Sequence, residues 1–309
     1  MTSAALFGGK VVVFMGDFRQ LLPVVLHSCG DNSTILRSQW WHRVTILRLT
    51  RNYRSDCAAY RCMLNSVGLG DVPTVAVPPE CWASSLPDLV QRVFGQDFRS
   101  PGRHIVTTTL EAAAHVNKYI IGLLPGDAVT AQAADSKIGC RDDIYSTEFI
   151  ASLCLPGAPP AELLLKVGGR YMIMRNLDAR RLMLNGTIVT LRAIQTYSLR
   201  VELPSGLLVF LPRQSFTIKS DVSGLPFVIV RRQFPIIPAY AVTVHRIQGQ
   251  TLTRMGVFVS GDIFCHGMLY TCLSRVGGWE SISVWTDSES GCGSLNNIVR
   301  PHVVAHLRV

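Results

Sequence analysis

An α/β fold carrying a small antiparallel barrel is the architecture the sequence predicts, and three observations predict it. Continuous apolar runs at Val11-Val12-Val13-Phe14, Val257-Phe258-Val259 and Ile282 to Trp285 read as buried parallel strands. Ile105-Val106-Thr107-Thr108-Thr109 reads as a further strand, and good helix formers from Glu111 to Leu123 follow it, which is the strand-then-helix step of an α/β domain. Between Arg170 and Phe234 the pattern changes to short alternating runs: Tyr171 to Met174, Thr187 to Ile194, Arg200 to Leu203, Leu207 to Leu211 and Phe227 to Phe234. These predict the barrel.

Each stretch fits this plan in order. The first apolar run ends in Gly16-Asp17, as a buried strand does when it runs into a functional loop, and so central a strand so early predicts preceding sequence. Pro73, Pro78, Pro79, Pro87 and Pro101 punctuate 70–103, which predicts a linker with one short helix over Leu86 to Phe94. Asn185-Gly186 predicts the clearest hairpin turn, because both residues tolerate positive φ. The Asn-x-Thr sequences at Asn185 and Asn32 are not read as glycosylated, since no export signal precedes them.

Composition narrows the function classes. Hydrophobic residues at 48% and charged ones at 17% exclude long disorder, and 309 residues can form two domains of roughly 100–150 residues each. Thirty Lys+Arg against twenty-one Asp+Glu leave a charge of +9, which favours polyanionic partners. Nine cysteines, an odd number without zinc-pair spacing, read as reduced thiols. No basic-then-apolar leader and no run of about 18 apolar residues is present, so an intracellular protein without membrane spans is expected.

Four segments carry candidate chemistry. Gly16-Asp17-Phe18-Arg19-Gln20 lies where open α/β sheets bind ligands; the Gln20 amide can donate to a phosphate and accept from water, although a plain polar loop reads the same way. In Leu49 to Ser55, Tyr53 can stack on a base, and Arg54 can neutralise a transferred phosphoryl group or pair with a surface carboxylate. Ala241 to Thr251 begins extended and is expected to open a helix. Its hydroxyls, the amides freed by Gly249, and the side chains of Thr243, His245, Gln248 and Gln250 suit phosphate oxygens. His245 has no acidic or thiol companions, so no metal is assigned. In His266 to Val276, Leu269, Cys272, Leu273 and Val276 recur at helical spacing, leaving Ser274 and Arg275 on another face, where Arg275 can reach a nucleotide or cap and solvate the helix.

Taken in order, these segments resemble the Pif-type, RecD-like helicases of superfamily one, including those of Helitron-type transposons. The likeness rests on Gly16-Asp17-Phe18-Arg19-Gln20-Leu21-Leu22-Pro23-Val24, Leu49 to Ser55, Lys166-Val167-Gly168 with Met174 to Asp178, Asn185-Gly186-Thr187, Arg231 to Pro235, Gln248 to Leu252, and Leu269-Tyr270 with Leu273 to Val276. It implies RecA-like parallel-sheet domains of the P-loop NTPase type, the first truncated, with an SH3-like barrel inserted in the second. The expected divisions are 1–71 for the end of the first domain, 72–103 for a linker, 104–165 and 236–309 for the second domain, and 166–235 for the barrel.

The resemblance also implies roles. Gln20, Arg54 and Arg275 would be catalytic at the terminal phosphate of ATP; Gly16, Asp17, Tyr53, Gly249 and Gln250 would bind the nucleotide; Thr243, His245 and Gln248 would face DNA. ATP and Mg2+ would be the cofactors of the intact protein, and single-stranded and forked DNA the partners of a monomer in the nucleus or the mitochondrion. Departures are plain: no Gly-x-x-x-x-Gly-Lys-Ser/Thr loop and no magnesium-holding Asp-Glu pair occur, so the 309 residues alone are expected to hydrolyse ATP negligibly. Met268 replaces the usual glutamine, His245-Arg246 the usual Asn-Lys, and Thr109-Leu110 a Pro-x-Asn-like turn. The alternative is a non-catalytic DNA-binding or scaffold remnant of a transposon-type helicase, which keeps the fold without the motor.

Overall fold

A computed structural model describes residues 6–23, 34–139, 145–261, 263, 265–287 and 293–307. Val24 of the first motif, and Asn32 and Ser33 of the second Asn-x-Thr sequence, lie outside the described residues. The elements run α1 (Ala58–Leu69), β1 (Thr74–Ala76), α2 (Leu86–Phe94), β2 (Arg103–Thr107), α3 (Leu110–Leu123), β3 (Val129–Gln132), β4 (Ala134–Ile138) and α4 (Thr147–Ser152). They continue with β5 (Glu162–Leu165), β6 (Arg170–Ile173), β7 (Ile188–Ile194), β8 (Ser198–Glu202), β9 (Leu208–Pro212), β10 (Gln214–Ile218) and α5 (Ser220–Ser223). The last are β11 (Val228–Gln233), β12 (Ile236–Pro238), β13 (Ala241–Thr243), β14 (Arg254–Val259), α6 (Met268–Leu273), β15 (Ile282–Thr286), β16 (Ser294–Asn296) and α7 (Pro301–Val304). Two compact units result: Met1–Ala83 with Ile247–Val309, and Ser84–Arg246. These limits differ from the divisions that the motifs suggest.

In the first unit, β14 and β15 pair in parallel from Met255↔Ile282 to Val259↔Thr286, and β1 pairs antiparallel with β16. Tyr60, Leu64 and Val67 line one face of α1 at helical spacing and are buried. Tyr60 also donates its hydroxyl to the Leu273 carbonyl at 2.9 Å, fastening α1 to α6.

In the second unit, β2 and β13 are parallel (Ala241↔Ile105 to Thr243↔Thr107). The flanking helices start where the sequence provides caps: Ser85 accepts from Asp88 N–H, and Thr109 from Ala112 N–H. An antiparallel sheet follows in the order β12-β6-β7-β8-β9, over a core that includes Leu163, Leu165, Tyr171, Ile173, Leu191, Leu199, Val201 and Leu211. A second antiparallel sheet, β10-β11-β4, packs on Ile150, Phe216, Phe227 and Ile229.

Several expectations change. Val11 to Phe14 forms no strand: Val11 is 95% exposed, and Phe14 stacks on Trp40 at 5.2 Å instead. An apolar run becomes a strand only where neighbours accept its main-chain groups, and none does so among the described residues. The proline-rich stretch holds β1 as well as the expected helix. Asn185-Gly186 does centre a turn, Thr187 N–H bonding Leu184 O at 3.0 Å, but only Gly186 has positive φ (91°) and the turn sits within a longer connection. The loop after Ile247 opens no helix and leads into β14. Cys57, Cys62, Cys81, Cys154, Cys265 and Cys272 are free thiols. No helix among the described residues is long and apolar enough to cross a membrane.

Candidate functional site

Gln20, Arg54 and Arg275 all belong to the first unit, and α6 with the turn after it links them. The Asp17–Gln20 turn closes with Gln20 N–H on the Asp17 carbonyl at 3.0 Å. Asp17 is the hub. Its Oδ1 accepts from Arg19 N–H (3.1 Å) and Nε (2.9 Å), and its Oδ2 accepts from Arg19 Nη2 (3.2 Å), Gln20 Nε2 (3.4 Å) and the Tyr270 hydroxyl (3.0 Å). Burial acts to raise the Asp17 carboxyl, but the hydrogen bonds and charge of Arg19, with the Tyr270 hydroxyl, outweigh it and hold the group below the usual range. Burial and the Asp17 charge push the Tyr270 phenol up, so it stays a neutral donor. The Arg19 guanidinium lies 5.0 Å from the Tyr270 ring centroid.

Two more contacts fasten this turn to the start of α6. Leu21 N–H donates to Thr271 Oγ1 at 2.9 Å. His266 Nδ1 accepts from Arg300 N–H at 2.9 Å, which assigns the ring proton to Nε2, 2.9 Å from the Phe18 carbonyl that accepts it. Burial, then the Arg300 and His302 charges, lower His266 and keep it neutral. Between them stands Gly267 with φ 68°; a Cβ there would meet Arg19 O at 2.4 Å and Gln20 C at 2.7 Å, so the two backbones can approach only over a glycine.

Arg275 is 2% exposed. Its Nε donates to Thr271 O (2.8 Å), one Nη to Gln250 O (3.3 Å) and the other to Ser274 Oγ (2.7 Å). Arg54 donates from Nε and Nη2 to Thr251 Oγ1 (3.1 and 3.0 Å) and from Nη1 to the Ser274 carbonyl. Burial lowers the Arg275 pKa, and the Arg54 charge lowers it further. Neither guanidinium forms an ion pair with a carboxylate among the described residues. Two neighbouring cations held by neutral oxygens suit a multiply charged oxyanion, which would relieve their repulsion.

The remaining candidates are spread more widely. Gly16 and Gly249 (φ 84°) are exposed with open space around them. Tyr53 is 80% exposed with the Arg51 guanidinium 4.7 Å from its ring centroid. Gln250 supplies a carbonyl to Arg275, and Gln248 Nε2 donates to Leu21 O at 3.4 Å. Thr243, at the end of β13, and the exposed His245 belong to the second unit, and Gln248 belongs to the first. Ser274 and Arg275 do not face solvent as an end-of-helix pair would: both are buried, and each guanidinium nitrogen of Arg275 makes one bond to a carbonyl or hydroxyl, three of its five donors. The Thr251 hydroxyl, one of those that suit phosphate in the sequence, instead accepts from Arg54; Tyr270, Thr271 and Gly267 carry no individual role in the sequence, where a glycine directly before an apolar helical repeat is the one available signal.

Comparison with known proteins supports the Pif-type part of the resemblance. Residues 1–75 match the family of PIF1-like helicases, and residues 148–192 the 2B domain of DNA helicase Pif1. The chain is 26% identical over 288 residues to the ATP-dependent DNA helicase PIF1 of Mus musculus, covering 90% of this chain and 40% of that protein. It is 27% identical over 292 residues to ATP-dependent DNA helicase Pif1 of Bdellovibrio bacteriovorus, covering 91% and 61%. The chain thus spans 40% and 61% of the length of these two relatives. In fold it is similar to a Pif1 helicase from Bacteroides in complex with ADP-AlF3 and ssDNA (TM-score 0.68, 20% identity, 99% of this chain and 68% of that one). The Pif1 helicase from Candida albicans gives a TM-score of 0.65 at 22% identity, covering 95% and 66%.

Proposed function

We propose that this chain, a Pif1-type helicase of superfamily one, is the part of an ATP-dependent DNA helicase that senses and neutralises the terminal phosphate of ATP. The observation that supports this is the pair Arg54 and Arg275, side by side on Ser274 without a carboxylate. Gln20 is tied to the same helix through Asp17 and Tyr270, so a phosphate-dependent shift at one would be felt at the other. In the intact protein, hydrolysis would drive movement along single-stranded DNA and unwinding of forked duplex, with Thr243, His245 and Gln248 toward the strand. Charge supports this polyanion preference.

The arginines fit a phosphate; magnesium is another matter. The described residues group no three His, Cys, Asp or Glu side chains, and no Gly-Lys-Ser/Thr loop occurs in the sequence. No step through a metal is therefore assigned to these residues, and the 309 residues alone should turn over ATP far below about 1 per second. The motif-based divisions, with 166–235 as an SH3-like barrel inserted in a second RecA-like domain, belong to the same proposal. The alternative, a transposon-type remnant without motor activity, separates from it by experiment. DNA-stimulated ATPase of the protein carrying a phosphate loop should fall by about a thousandfold in Arg54→Ala and Arg275→Ala; full activity in both variants would refute the site.

A further inference from the structure

We propose that β9 is a docking edge for an extended acidic segment of another protein, which adds to the β12-β6-β7-β8-β9 sheet as a sixth strand. The inference stands apart from the nucleotide site and uses only the second unit. β9 pairs with β8 from Ser198↔Pro212 to Glu202↔Leu208 and, among the described residues, with no other strand. Leu203 N–H donates to Leu207 O at 2.9 Å. In an antiparallel ladder main-chain groups alternate in direction, so residues 207, 209 and 211 turn toward β8, and 208, 210 and 212 turn away from it. The free edge therefore offers the N–H groups of Leu208 and Phe210 and the carbonyls of Leu208, Phe210 and Pro212; Pro212 has no N–H, which bounds the pairing at that end.

The same three residues face solvent. Leu208 is 42% and Phe210 58% exposed, while Val209 and Leu211 between them are buried. An apolar stripe beside free main-chain donors and acceptors is what a strand-adding peptide uses: the ladder supplies affinity, and alternate side chains supply specificity. Charge selects the partner. Arg200 stands opposite Phe210 on this face and is exposed, with no ion-pair partner among the described residues, whereas Arg192 is neutralised by Glu202. An acidic side chain on the incoming strand can reach Arg200 across the Phe210 ring. Nucleic acid would need cations along its track, and the stripe has one unpaired arginine; a second copy would bring the same positive charge to the edge.

The test uses the full chain, a short fluorescein-labelled peptide of alternating valine and glutamate, its lysine counterpart, and oligothymidylate. The expected result is tighter binding of the glutamate peptide, by about tenfold over the lysine one, with hydrogen-exchange protection of the Leu208 and Phe210 amides. Leu208→Glu and Phe210→Glu should abolish both; Arg200→Glu should erase the preference for glutamate while leaving protection by an uncharged valine–serine peptide. All three side chains face solvent, so unchanged circular dichroism separates lost binding from lost fold. N-methylation of alternate peptide amides should weaken binding if main-chain pairing carries it. The proposal is overturned if no peptide protects these amides at millimolar concentration, if oligothymidylate protects them instead, or if protection comes from self-association that Phe210→Glu removes.

Discussion

Arg54 and Arg275 hold opposite ends of one residue: Arg54 binds the Ser274 carbonyl, and Arg275 binds the Ser274 hydroxyl at 2.7 Å. Burial first, and then the neighbouring Arg54 charge, lower the Arg275 pKa. An anion between them should stabilise the fold. Pyrophosphate should raise the thermal midpoint of the chain, with about 2.7 kcal/mol gained at a hundredfold excess over its dissociation constant. In Arg54→Ala or Arg275→Ala the rise should largely vanish. Equal stabilisation of the parent and both variants, by scanning fluorimetry, would show that the anion binds elsewhere.

Gly267 should tolerate no side chain. A Cβ would lie 2.4 Å from Arg19 O, 2.7 Å from Gln20 C and 2.8 Å from Gln20 O, all main-chain atoms that cannot step aside singly. Gly267→Ala should cost about 2 kcal/mol or more in urea unfolding, since strain at positive φ adds to the clash. Gly249→Ala is the control: its φ of 84° is as unfavourable, yet nothing lies within 4 Å, so only about 1 kcal/mol should be lost. Equal costs would mean that close approach plays no part.

Asp17 gives the site an acid limit. Its folded pKa is below the ordinary value, so its contribution is present above the unfolded pKa, about 3.9, and is lost as pH falls through the folded one. Tyr270→Phe removes one hydroxyl donor, which should raise the folded pKa and start the loss at higher pH. A carboxyl carbon titration of Asp17 by NMR reads this directly. No upward movement in Tyr270→Phe would remove Tyr270 as the group that holds the Gln20 turn charged.

His104 predicts a second, separate pH dependence. Burial, then the Arg170 charge, lowers its pKa from 6.5 to about 3, and its Nδ1 has no hydrogen-bond partner. The unfolded chain therefore binds a proton that the folded chain refuses between these values, and stability falls with pH across that window. From pH 6.5 to pH 5 the loss should be about 1–2 kcal/mol. His104→Gln, which does not titrate, should flatten that limb of the urea-unfolding profile; an unchanged slope would assign the proton to another group.

Much of this architecture could be read from the sequence where the cause is local. Ser85 and Thr109 announce α2 and α3 because a cap acts within one turn, and the apolar runs of β14 and β15 are fully paired. Val11 to Phe14 departs from the strand its composition predicts for the complementary reason: hydrophobicity says that a run is to be covered, not by what. The arginine pair was half legible. Arg54 and Arg275 were identifiable as residues, but the burial of Arg275 depends on the Gln250 carbonyl, 25 positions away in sequence, and no periodicity encodes such a contact. Tyr270 and Thr271 stayed hidden inside a helical repeat because their partners, Asp17 and Leu21, lie some 250 residues upstream.

Arg231 shows how a motif residue can be structural, and it carries the last prediction. Fully buried, its guanidinium pairs with Asp135 (Nη2 to Oδ2, 2.8 Å) and donates to the carbonyls of Ile150 (2.9 Å), Pro159 (3.2 Å) and Leu153 (3.5 Å). One planar cation thus gathers β11, β4 and the 150–159 segment. Asp135→Ala would leave that charge buried without its counterion, at a cost of about 3–5 kcal/mol. Arg231→Lys keeps the charge but cannot span four acceptors, so it should fail to restore stability. Arg231→Met with Asp135→Leu removes both charges and should recover part of the loss, though the three carbonyls stay unpaired. Urea unfolding of the three variants decides it: if the double variant were as damaged as Asp135→Ala, the carbonyl contacts rather than the ion pair would hold the segment.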